Sequence, residues 1–133
     1  MNNQHRGSCL CGEVRFAIDG TFERFYLCHC EHCRKETGSA HAANLFSSTA
    51  RVEWISGQDK ARIYNLPRTR HTRCFCSTCG SALPHVTETM VVVPAGCLDT
   101  DPGAGPDAHI FTASKASWDH GLGDIPTFES FPS

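Results

Sequence analysis

Seven of the nine cysteines in this 133-residue chain fall into three short clusters: Cys9 and Cys11, then Cys28, Cys30 and Cys33, then Cys76 and Cys79. Thiols recur at such spacings when one centre holds several of them at once, and zinc is the partner that best fits so polar a chain. Disulfides are a poorer account. The cysteine count is odd, and residues separated by one position, as in Cys9/Cys11 and Cys28/Cys30, are badly placed to bond each other. A reducing cytosol keeps thiols free for metal. Met1 to Ser8 is polar and lacks the apolar run of a secretory leader, so a cytoplasmic location is expected.

The length suits one domain, residues 1–133, with a single modest core that metal crosslinks would supplement. A formal net charge of -2 provides no basic field for a polyanion, so nucleic acid is not an expected partner. No stretch approaches the roughly 20 apolar residues of a membrane span, and a membrane is not expected either.

Short strands dominate the pattern. Val14, Phe16 and Ile18 alternate with Glu13, Arg15 and Ala17 between Gly12 and Gly20, the period of a strand with one buried face. Further β-like runs are Phe22 to Leu27, Ala42 to Phe46, Arg51 to Ile55, Ala61 to Asn65, Thr72 to Phe75, Met90 to Val93 and His109 to Thr112, punctuated by Gly, Pro, Ser and Asp. A mainly β fold is therefore expected. One short helix is predicted over Glu31 to Thr37, where Gly38 offers the stop, and Asp99 to Asp107 reads as a loop.

A structural zinc site takes four ligands at tetrahedral corners, usually two from each of two short loops. Cys9/Cys11 and Cys76/Cys79 supply two and two, and their union would close a long loop. Gly80 suits the tight turn after Cys79. Cys28-His29-Cys30-Glu31-His32-Cys33 offers three thiolates within six residues. Three protein ligands with an open fourth position is the arrangement of catalytic zinc. Cys74, His29 or His32 could close that position, and closure by Cys74 would make the site structural.

The series Cys-x-Cys-Gly-x-Val-x-Phe (Cys9 to Phe16), Cys-His-Cys-x-x-Cys-Arg-Lys-x-x-Gly (Cys28 to Gly38) and Phe-Cys-x-x-Cys-Gly-Ser-x-Leu (Phe75 to Leu83) resembles the glutathione-dependent formaldehyde-activating enzyme family, within the Mss4-like folds. The ending from His109 through Lys115-Ala116-Ser117-Trp118 to Ile125-Pro126 is similar to that family's as well. The resemblance implies twisted antiparallel sheets clipped by zinc, with Cys9, Cys11, Cys76 and Cys79 on a structural ion. Cys28, Cys30 and Cys33 would hold a second, catalytic and labile one. It also implies a carbon-sulfur lyase-type enzyme whose small-molecule partner is a thiol or thiol adduct, such as S-(hydroxymethyl)glutathione formed from glutathione and formaldehyde. His29, His32, Glu31 and His41 are the candidate proton carriers by their nearness in sequence.

Two other classes compete with that reading. A non-catalytic Mss4-like protein-binding module would have both metal sites closed, and an iron-sulfur or rubredoxin-like carrier would also use clustered cysteines. Arg34, Lys35, Arg68, Arg70 and Arg73 suit either carboxylate binding or plain surface charge. Cys97 is expected to be a buried apolar thiol. Trp54 and Trp118 are expected in or over the core, and His85, His109 and His120 stand alone in sequence.

Overall fold

The computed structural model describes residues 3–132. Among these residues eleven strands form three sheets, with one α-helix between β3 and β4 in the chain. In the first sheet β2 (Arg15–Asp19) lies between β1 (Gln4–Ser8) and β5 (Arg51–Ser56), antiparallel to both. The second sheet runs in the order β11 (Ala108–Ile110), β3 (Arg24–Cys28), β4 (Ala42–Ser47), β10 (Val91–Pro94), β9 (His85–Val86). The third is β6 (Ala61–Asn65), β7 (Thr72–Cys76) and β8 (Ala82–Leu83). Among the described residues the strand pairs within the sheets are antiparallel except β11 with β3, which is parallel. The helix α1 spans Glu31–Thr37 and ends at Gly38 in the left-handed conformation, as the sequence predicts.

Val14, Phe16 and Ile18 lie fully buried as their period requires, but Ala17 on the opposite face is buried as well, so the centre of β2 is covered on both sides. Val14, Phe16 and Ile18 meet Phe25 and Leu45 of the second sheet, Val91 and Val93 of β10, and Cys74 and Leu83 of the third. Trp54 covers the edge of this core, its ring 6.0 Å from that of Phe16. Trp118 does not: 57% of it is exposed, against the expectation from its size. Cys97 is a buried apolar thiol, as expected.

Three strands lack a sequence signature. β8 and β9 are two residues each, too short for periodicity to register. β1 is mostly polar, but Gly7 brings its backbone against the core, where a Cβ would collide with the Phe16 ring and the Cys97 carbonyl. Among the described residues no helix is long and apolar enough to cross a membrane.

Candidate metal centres

The turn from β1 to β2 carries Cys9 and Cys11, and the end of β7 with its following turn carries Cys76 and Cys79. All four Sγ atoms lie within 4.8 Å of one another. Cys9 and Cys11 are separated by 3.5 Å and Cys11 and Cys76 by 4.0 Å. Tetrahedral coordination with sulfur at about 2.3 Å puts thiolates about 3.8 Å apart, so the four fit a zinc ion. Local bonds shape the cage. Gly80, at φ +76, donates its N–H to the Cys76 carbonyl at 2.7 Å, and Thr78 Oγ1 donates to Glu13 Oε2 at 2.9 Å, tying one turn to the other.

The thiols of this cage pull apart in acidity, as close acids must. The Cys11 backbone, helped by Ser81 and the neighbouring thiols, holds Cys79 down to about 6 against the opposing effect of burial. For Cys9 burial acts upward, but the Val14 N–H and the thiols of Cys11 and Cys76 outweigh it and leave it low. Cys11 goes the other way: the Glu13 backbone favours its thiolate, yet burial and the three facing sulfurs push it up to about 12. Such a set holds protons it must release when a cation enters.

The second group forms where β3 ends and α1 begins. Cys28, Cys30 and Cys33 have their Sγ atoms within 4.8 Å of one another, in a small apolar cluster with Ala42 and Ile110. Cys30 caps the helix, its Sγ accepting the Cys33 N–H at 3.4 Å. Burial acts upward on Cys30, but that N–H and the flanking thiols win and lower it. Burial raises Cys28 and Cys33.

Among the described residues no fourth His, Cys, Asp or Glu joins this trio. Cys74, placed by the alternation of β7 on the same side as Cys76, is buried and lines a cavity together with Cys33, but its sulfur is not gathered with the trio. His29 is engaged elsewhere. Its Nε2 lies 2.8 Å from His109 Nδ1, its Nδ1 lies 3.1 Å from Asp119 Oδ2, and His41 stacks at 5.1 Å. His109, solitary in the sequence, is therefore part of a histidine cluster. His32 packs on His71 at 5.2 Å.

Beside Cys33 opens a cavity of about 180 Å³, lined also by Glu36, Arg70, His71, Arg73, Cys74 and His85. His71 Nε2 lies 2.9 Å from Glu36 Oε1. Arg73 Nε is buried without a hydrogen-bond partner, and Arg73 Nη2 reaches the Gly80 carbonyl at 3.3 Å. Of the basic residues that sequence left undecided, Arg70 and Arg73 enter this cavity, Lys35 lines an adjoining groove, and Arg34 donates to the Ser114 carbonyl. Glu36 and His71 are cavity residues that sequence reasoning missed. They stand 35 positions apart with no shared motif, so no local signal could pair them.

A family model described as glutathione-dependent formaldehyde-activating enzyme matches residues 4–114. A Halomonas elongata protein with the provisional name of glutathione-dependent formaldehyde-activating enzyme is 33% identical over 125 residues, covering 84% of this chain and 77% of that protein. The crystal structure of a Rhodobacter sphaeroides protein superposes with a TM-score of 0.55 at 25% identity, over 78% of this chain and 97% of that one.

Proposed function

The chain belongs to the glutathione-dependent formaldehyde-activating enzyme family, and on that premise we propose that it is a zinc-dependent enzyme joining a thiol such as glutathione to formaldehyde, of the carbon-sulfur lyase type. Cys9, Cys11, Cys76 and Cys79 hold a structural zinc. Cys28, Cys30 and Cys33 would hold the catalytic one. The observation that carries this reading is the gathering of three thiols, with no fourth protein ligand among the described residues, beside a cavity that presents two arginines.

A zinc ion held by the trio would supply Lewis acidity and favour the deprotonated form of a substrate thiol. The chain's own residues supply the rest. Arg70 and Arg73 bind the carboxylates of a glutathione-like thiol, for which a guanidinium fork is matched in shape and charge. Arg73 Nε, buried and unpartnered, gains an acceptor when such a ligand enters. One C–S bond forms, the C=O becomes C–OH, and the proton lost from sulfur is made up on oxygen. His71, backed by Glu36 Oε1, is the cavity group able to carry it.

The test is adduct formation followed by exchange NMR, with zinc content measured on the same samples. The zinc-loaded protein should accelerate adduct exchange, and Cys30→Ser should abolish the acceleration, lower the zinc content by about half and leave the fold intact. No acceleration by a fully loaded wild type would refute the assignment. The module alternative requires a closed second site, for which Cys74, lining the same cavity as Cys33 but not gathered with the trio, would have to move closer.

A further inference from the structure

We propose that residues 117–132 form a dimerisation arm that seats on the β6–β7 hairpin of a second copy of this chain. Up to Ala116, which is buried, the C-terminal part is tied to the body: β11 pairs with β3, and Arg34 reaches Ser114. Beyond it every residue through Pro132 is exposed except Asp119, which pairs with His29. Yet this stretch is rich in large apolar side chains. Trp118, Leu122, Ile125, Phe128 and Phe131 all stand in solvent, Phe128 at 64% and Phe131 at 91% exposure. Side chains of this kind at this density mark a surface that something covers.

The area says how much. A compact monomer of 14.6 kDa is expected to expose about 6,900 Å², whereas this chain exposes 8785 Å². The excess is about 1,900 Å². Hidden by each of two copies it would make an interface of about 3,800 Å² in total, within the range of permanent dimers.

The hairpin is the complementary surface. β6 is the edge of its sheet, and Arg62, Ile63, Tyr64 and Asn65 are exposed on both of its faces. A long exposed edge with apolar residues invites pairing unless it is covered. Between the hairpin and α1 lies a groove of about 270 Å³, with Tyr64 and Leu66 on its apolar side and Lys35 and Arg73 on its rim. Charge selects the occupant. Residues 61–76 contain Arg62, Arg68, Arg70 and Arg73 and no acid, while residues 117–132 contain Asp119, Asp124 and Glu129 and no Lys or Arg. Asp119 is held by His29, and Arg62 and Arg73 of the hairpin donate to backbone carbonyls of their own chain, so Asp124 and Glu129 are the arm charges that meet the hairpin between chains, twice in a symmetric pair. The groove shares Glu36, His71 and Arg73 with the cavity beside Cys33, so a seated arm would also wall that cavity.

Sedimentation velocity on the metal-loaded full chain tests the proposal independently of catalysis. The wild type should sediment as a dimer at micromolar concentration, and deletion of residues 122–133 should leave a folded monomer. Arg62→Glu with Arg68→Glu in one chain, and Asp124→Lys with Glu129→Lys in another, should each weaken self-association by about tenfold or more at low salt. Mixing those two chains should restore a heterodimer, because every arm then meets a hairpin of opposite sign. A wild type that remains monomeric, or a dimer indifferent to loss of the arm, overturns the proposal. Failure of the mixed chains to associate removes the hairpin as the seat.

Discussion

Cys11→Ser separates a metal clip from a set of ordinary thiols. Cys11 is exposed, and a near-isosteric change at an exposed position normally moves stability by no more than about 0.5 kcal/mol. Its Sγ, however, lies 4.0 Å from that of Cys76, a residue 65 positions away. Treated as a crosslink, closure of a loop of that length removes about 4.3 kcal/mol of chain entropy from the unfolded state at 25 °C. Loss of one corner of the cage should therefore cost about 4 kcal/mol. For 133 residues the unfolding entropy is about 0.28 kcal/mol/K, which converts that loss to a fall in Tm of about 15 °C. Thermal unfolding by circular dichroism, with zinc quantified before and after a strong chelator, measures it. The chelator should bring the wild type down towards the variant and add little to the variant itself. A Tm within about 3 °C of wild type, at unchanged zinc content, would refute the clip.

Arg70→Ala should raise KM for glutathione by about tenfold with little change in kcat, as loss of a carboxylate contact does, in steady-state adduct assays. Gly7→Ala should destabilise by about 1–3 kcal/mol in urea unfolding, because the new methyl meets the Phe16 ring and the Cys97 carbonyl. Burial, followed by the charge of Asp99, pushes the Cys97 thiol up to about 12. At pH 8 only about one molecule in 10⁴ would then be ionised, and mass spectrometry should find Cys97 unalkylated in the native protein and alkylated after unfolding. The Ser48 hydroxyl and backbone N–H hold the Glu23 carboxyl below its usual range. A depressed carboxyl adds stability above its unfolded pKa and loses it as pH falls through the folded one. Glu23→Gln should accordingly lower the urea midpoint at pH 7 and converge with wild type in acid.

Sequence alone carried everything governed by local spacing. The period of two in Val14, Phe16 and Ile18 marked a strand and its core face, Gly38 marked the end of α1, and the spacing of the cysteines marked two groups able to hold metal. It also carried the family, since three ordered motifs are a property of the chain itself. Only the tertiary structure decided what depends on distant segments meeting. Alternation put Cys74 and Cys76 on the same side of β7 and both lie in the core, and nothing in that alternation says that only the Cys76 sulfur joins those of Cys9, Cys11 and Cys79. Convergence of Glu36, His71, Arg70 and Arg73 beside Cys33 comes where α1 side chains meet His71, just before β7, across intervals that no motif spans. Trp118 illustrates the same limit from the other side. Its size argues for burial, but burial requires a facing surface, and the described fold leaves more than half of it exposed.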